Sequence, residues 1–137
     1  MAWTTPKTNW TSTSRFNYTD YNRIKNNILE LQSMMSPQPT IESMGSDKAV
    51  TSFFYADEAN KFWSNTEILS RVMGFRFTDY PIFEPNGRIF FYSELNRLEQ
   101  MHLTIYEAII GTMPVYAIDA NGVYAVSDNN RAKARAT

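Results

Sequence analysis

Residues 16–35 read F-N-Y-T-D-Y-N-R-I-K-N-N-I-L-E-L-Q-S-M-M, and the chain writes a version of this stretch three times. The second copy begins at Phe54 (F-Y-A-D-E-A-N-K-F) and the third at Phe90 (F-F-Y-S-E-L-N-R-L). Laid together, they put Thr19, Asp57 and Ser93 at equivalent places, 38 and 36 residues apart. Each is a good N-cap, because its side-chain oxygen can accept from the free amides of a first helical turn. Asp20, Glu58 and Glu94 follow, where the helix dipole is positive and favours a carboxylate. Asn22, Asn60 and Asn96 then fall at the expected third helical position, where a capping-box Glu or Gln is more usual.

The apolar spacing agrees. The first copy offers Tyr21, Ile24, Ile28, Leu31 and Met35; the second Ala59, Phe62, Thr66, Leu69 and Met73; the third Leu95, Leu98, His102, Ile105 and Ile109. Steps of three and four in one shared phase make a seam that packs helix on helix. Ile24, Ile28, Phe62, Thr66, Leu98 and His102 are its expected centre. Stop signals follow each stripe at Ser36-Pro37, Gly74 and Gly111.

With 137 residues the chain is long enough for one core. A net charge of −1 gives no field for nucleic acid or an anionic membrane. There is no cysteine, which excludes disulfides, thiol catalysis and thiolate metal sites, and fits a reducing compartment. No apolar run is long enough to span a bilayer, and the first residues do not read as a signal peptide. Synthesis and folding in the cytosol are therefore expected.

Residues 1–15 read as an extended arm, M-A-W-T-T-P-K-T-N-W-T-S-T-S-R, in which Pro6 and the β-branched threonines disfavour helix. Trp3 and Trp10 are too large to leave idle in a disordered leader. They either pack back on their own bundle or anchor the arm on a neighbouring subunit.

The pattern W-T-T-P-K-T-N-W-T-S-T-S-R-F-N-Y-T-D-Y-N-R-I-K-N-N, residues 3–27, resembles the opening of small virion structural proteins encoded among the tail and baseplate genes of tailed bacteriophages and prophages of Gram-positive bacteria. Tyr55-Ala56-Asp57-Glu58-Ala59-Asn60 and Glu94-Leu95-Asn96-Arg97-Leu98-Glu99 fit the same habit. The resemblance covers most of residues 3–110 and carries structural signatures without a catalytic motif. It implies a virion component, with other copies of itself and neighbouring virion proteins as partners.

The connector at 36–56 and the aromatic-rich one at 75–92 are longer than compact domains usually use. The second reads as two short strands around Glu84-Pro85-Asn86-Gly87. After Gly111, V-Y-A-I-D-A-N-G-V-Y-A-V at 115–126 is a stronger hairpin signal, with Asn121-Gly122 at its turn. A lone hairpin is marginal in water, so Tyr116 and Tyr124 are expected to lie on the bundle or on another chain. The tail adds Arg131, Lys133 and Arg135, a solvated basic end or a partner surface.

Catalytic patterns are missing. The single histidine, His102, shares a seam layer with Ile28 and Thr66 and reads as a core residue bonded to Thr66 or a carbonyl. Zinc spacing, a phosphate loop and a nucleophile elbow do not occur. The pairs Asn22-Arg23, Asn60-Lys61 and Asn96-Arg97 are expected to be structural, the asparagine capping and the cation lying over the preceding aromatic.

The expected fold is mainly α with small β elements: a three-helix bundle of similar repeats (16–111), a short hairpin before the third helix, a C-terminal β-hairpin and basic tail (112–137), and the extended arm (1–15). The expected function is a non-enzymatic subunit of a tail, baseplate, fibre attachment or neck, assembling through Trp3, Trp10, Tyr116, Tyr124, Arg131, Lys133 and Arg135. No cofactor, metal, nucleic acid or membrane insertion is expected. A carbohydrate- or receptor-binding module, stacking aromatics on a host cell-surface glycan, is the second reading. A cell-wall hydrolase would need a carboxylate pair on a groove.

Overall fold

The computed structural model describes residues 3–75, 81–85 and 91–111. They form three helices, α1 (Tyr18–Ser33), α2 (Ala56–Val72) and α3 (Tyr92–Ile110), each packed on the other two. Among the described residues there is no strand. The expected C-terminal hairpin, with Tyr116 and Tyr124, and the tail residues Arg131, Lys133 and Arg135 lie outside the described residues. So do 76–80 and 86–90, which include half of the expected hairpin at 80–91; its described residues, 81–85 and 91, form no strand.

Each helix is capped two residues earlier than expected. The N-caps are Asn17, Tyr55 and Phe91, not Thr19, Asp57 and Ser93. The carboxylates explain the shift. Asp20 and Glu58 stand at the third helical position and reach back to the cap backbone, accepting from the N–H of Asn17 (3.0 Å) and of Tyr55 (2.9 Å). They take the place in the capping box that spacing had assigned to the asparagines. Asn22, Asn60 and Asn96 therefore sit one half-turn further in, at the fifth position. At the far ends Gly74 and Gly111 adopt φ of 83° and 81°, the left-handed conformation glycine tolerates without a Cβ penalty.

The seam packs in layers. Tyr21, Ala59 and Leu95 are buried together at the first layer, then Ile24 with Phe62 and Leu98, then Ile28 with Thr66 and His102, then Leu31 with Leu69 and Ile105. Residues at the same or nearly the same level from their own helix start meet: Thr66 and His102, each eleventh, touch, and the long side chain of Arg23, the sixth, reaches Glu99, the eighth. Such pairs require three parallel helices. Parallel neighbours explain the long connectors. A helix of 16 residues rises about 24 Å, so the chain must run back roughly that far, some seven or eight extended residues, before the next helix can start at the same end.

Candidate functional site

The return segments lie extended on the bundle, and the helices hold them by asparagine side chains. Asn22 of α1 donates through Nδ2 to the carbonyl of Lys48 (3.0 Å) and accepts on Oδ1 from the same residue's N–H (2.8 Å). Asn60 of α2 does the same to Phe83 (3.0 and 2.8 Å), and Asn96 of α3 to Trp10 (2.9 and 2.7 Å). A second set sits further along the helices. Asn27 clamps Thr4 (2.7 and 3.0 Å) and Asn65 clamps Glu42 (2.9 and 2.8 Å). An Asn amide presents a donor and an acceptor side by side, as one residue of a neighbouring strand would. It therefore satisfies the backbone of an extended segment without any sheet.

The clamps reveal that the N-terminal arm is a third strap. Thr4 and Trp10 precede Glu42 and Lys48 by 38 residues, the same offset that separates the starts of α1 and α2. The strap at 41–48 is clamped by Asn22 of the helix before it and by Asn65 of the helix after it, so it lies between α1 and α2. The arm strap, 3–10, lies between α3 and α1 and closes the ring. The same tight turn then leads into the helix in both repeats. Thr11 N–H donates to Ser14 Oγ (2.9 Å) and Ser14 N–H to the Thr11 carbonyl (3.0 Å); Ala49 and Ser52 repeat both bonds at 2.9 Å.

One position distinguishes the grooves. Lys25, Trp63 and Glu99 are equivalent in the three helices, and all are buried. In α1, Lys25 Nζ reaches the Gly45 carbonyl (3.4 Å) and Asp47 (2.6 Å) on its strap. In α3, Glu99 has no exposed surface and faces the arm. Its Oε1 accepts from Lys7 N–H (3.0 Å) and Arg23 Nε (2.9 Å); its Oε2 accepts from the Trp10 indole (2.8 Å) and Arg23 Nη2 (2.8 Å). Arg23 also pairs with Asp20 at 2.9 Å. Burial works against the Arg23 charge, but Glu99 and then Asp20 outweigh it and hold its pKa above the ordinary guanidinium value. The equivalent position thus carries a cation in the α1/α2 groove and a carboxylate in the α3/α1 groove, each bonded to its own strap.

The sequence-derived residues divide accordingly. Ile24, Ile28, Phe62, Thr66, Leu98 and His102 all lie in the buried seam. Trp10 is 3% exposed and Trp3 stacks on Tyr106 of α3 with centroids 4.1 Å apart. In this arrangement Trp10 presents no adhesive face to a second chain, because its ring and its N–H are both taken up inside its own groove. The asparagines bind straps and do not cap. The cations do meet indoles, Arg23 at 6.0 Å from the Trp10 centroid and Arg97 at 5.2 Å from that of Trp63, but neither lies over a residue just before its helix.

His102 is built into the core. Thr66 Oγ1 donates to the Phe62 carbonyl at 2.7 Å, so its contact with His102 Nε2 at 2.8 Å has the imidazole as donor. That tautomer leaves Nδ1 a bare lone pair, in keeping with its lack of a partner. Burial lowers the His102 pKa from 6.5 to about 3 and keeps the ring neutral.

Clefts open on the surface among the described residues. One of about 320 Å³ is lined by Ser43, Met44, Asp57, Glu58 and Lys61. Another, about 140 Å³, lies where the arm turns into α1, between the hydroxyls of Thr11, Ser12 and Ser14 and the rings of Phe91 and Tyr92. Among the described residues no group of acidic or histidine side chains could hold a metal ion, and no helix is long and apolar enough to cross a membrane. Compared with known protein families, with curated proteins and with solved structures, the chain matches none of them.

Proposed function

We propose that this chain is a non-enzymatic structural subunit of a tailed-phage virion, placed in the tail, baseplate, fibre attachment or neck. The observation that carries the reading is the use of buried and half-buried polarity. Glu99, Arg23 and the five clamping asparagines are committed to holding extended chain on a helical post, and His102 is committed to the core. A post with sockets for extended segments suits assembly, and it accords with the likeness of residues 3–27 to tail-region proteins. The 112–137 segment supplies a second contact element in this reading. Density-gradient purification of phage particles from a producing host tests it. The protein should travel with tailed particles in fixed stoichiometry; recovery only at the top of the gradient overturns the assignment.

The small cleft supports a second reading, a glycan-binding module. Rings half open to solvent beside three hydroxyls are the groups that stack on and hydrogen-bond a sugar. Tyr92 and Phe91 are each 37% exposed. A glycan screen with the full chain and its Tyr92→Ala variant separates the two: saturable binding lost in the variant favours the module.

A further inference from the structure

We propose that the arm is an exchangeable strap, so that residues 3–10 of one copy seat in the α3/α1 groove of a neighbouring copy. The proposal rests on the reading of the chain as an assembly subunit and names the contact that joins its copies. Three observations lead to it.

First, the straps differ in attachment. The strap at 41–48 is tied to a helix of the bundle at each end, α1 before it and α2 after it. The arm strap is tied to a helix of the bundle only through residues 11–17, whatever precedes it. It can leave its groove without displacing a helix.

Second, the tether is exposed. Thr11, Ser12, Thr13 and Arg15 all lie at the surface, and the bonds of the 11–14 turn are made within the turn itself. Straightening it opens the small cleft shared with Phe91 and Tyr92 but breaks no hydrogen bond to a helix.

Third, the groove is a receptor with its own chemical key. Asn27 and Asn96 clamp backbone, Glu99 takes the Trp10 indole and the Lys7 N–H, and Tyr106 stacks on Trp3. Every one of these contacts can form with an identical arm from another molecule. Exchange of an identical element is a low-barrier route to assembly.

Because the bonds are the same either way, the balance is set by concentration. A short tether gives its own groove an effective concentration in the millimolar range. Dilute protein therefore closes on itself, and copies held side by side exchange. Head-to-tail exchange continues from copy to copy and closes into a ring where the geometry allows.

The full chain contains no cysteine, so Trp3→Cys with Tyr106→Cys creates the only two thiols, one on the arm and one in its groove. A short bifunctional thiol reagent then links each arm to whichever groove it occupies. At micromolar concentration the product should be intrachain. Above about a millimolar it should pass to interchain dimers and a ladder on a denaturing gel. Deleting Ser12 and Thr13 in the same background should give the ladder at micromolar concentration, with helical circular dichroism retained. Intrachain product alone at every concentration overturns the proposal, whatever the deletion variant does.

Incorporation into particles distinguishes the two claims. A chain bridged within itself should be excluded from particles that accept the unbridged chain. If both enter, exchange fails and the virion reading stands. If neither enters while the ladder forms, the virion reading fails and exchange stands.

Discussion

The Trp10 indole N–H ends on Glu99 Oε2 at 2.8 Å, against a carboxylate with no exposed surface. The same carboxylate holds Arg23 through two bonds, so one buried charge joins α1, α3 and the arm. Removing Glu99 leaves the largely buried Arg23 with Asp20 as its remaining carboxylate partner, and leaves the Trp10 indole and the Lys7 N–H facing a neutral amide. Glu99→Gln should therefore destabilise the fold by about 3–5 kcal/mol, read as a lower urea midpoint. Removing both charges, Arg23→Met with Glu99→Leu, should recover much of that loss. If Glu99→Gln moved the midpoint by less than about 1 kcal/mol, the charge would not be holding the arm.

The clamps should rank by burial. Asn27 and Asn65 are 1% and 0% exposed, while Asn22 and Asn60 are half-buried. Truncating a buried clamp leaves a donor and an acceptor on the strap with poor access to water. Asn27→Ala and Asn65→Ala should cost about 1–3 kcal/mol each. Asn22→Ala and Asn60→Ala should cost less, because water replaces the lost partner. Amide hydrogen exchange adds a local readout: Asn27→Ala should speed exchange at Thr4 and leave Glu42 protected. Equal acceleration at both residues would mean the clamps act only through global stability.

The helices were legible because their signal is carried by side chains. Ile24, Phe62 and Leu98 recur in phase, and the acids at Asp20, Glu58 and Glu94 recur with them. The helix starts were misplaced by two residues because Thr, Asp and Ser are good caps by type, whereas Tyr55 and Phe91 are not. The reach of Asp20 and Glu58 back to the backbone decided the register. The straps were illegible because a clamp reads backbone, so Thr4 and Glu42, or Trp10 and Lys48, need share no chemistry. A trace did exist in Asn22, Asn60 and Asn96. Asparagine is disfavoured inside a helix, where its side chain competes for backbone bonds. Its return at the same interior place in every repeat signals a partner outside the helix. The Arg23–Glu99 bond left no such trace, since Lys25 and Trp63 occupy the positions equivalent to Glu99.

The sole histidine makes a pH test direct. Unfolded, His102 takes a proton near its usual 6.5; folded, it does so only near 3. Between those values the unfolded state holds more protons, so stability falls as pH drops from about 6.5 towards 3. Above 6.5 both states are neutral and the group contributes no slope. The loss should reach about 2 kcal/mol between pH 7 and pH 5, and it should be absent from His102→Leu once the two proteins are compared at each pH. In the folded protein the single histidine ring resonance should not move over that range. A ring that titrates near 6.5 in the native state would place His102 in contact with water.

Lys25–Asp47 ties α1 to the strap at 41–48 and Arg23–Glu99 ties α1 to α3, and the two should behave differently. Asp47 is exposed, with 59% of its side chain in solvent, against none for Glu99. The hydrogen bonds from Lys25 and then Asn26 lower the Asp47 pKa below its usual 3.8. A depressed carboxyl pKa adds stability above 3.8 that is lost as pH falls through the folded value. Water and salt screen this contribution, so Asp47→Asn should cost no more than about 1 kcal/mol at neutral pH. The effect should shrink in high salt, whereas that of Glu99→Gln should persist because its partner is shielded from ions. Matched urea titrations of the two variants in low and high salt give the comparison. Equal salt sensitivity would mean that the α3/α1 groove is as wet as the surface around Asp47, and that the Glu99 carboxylate is not the dry key to the arm.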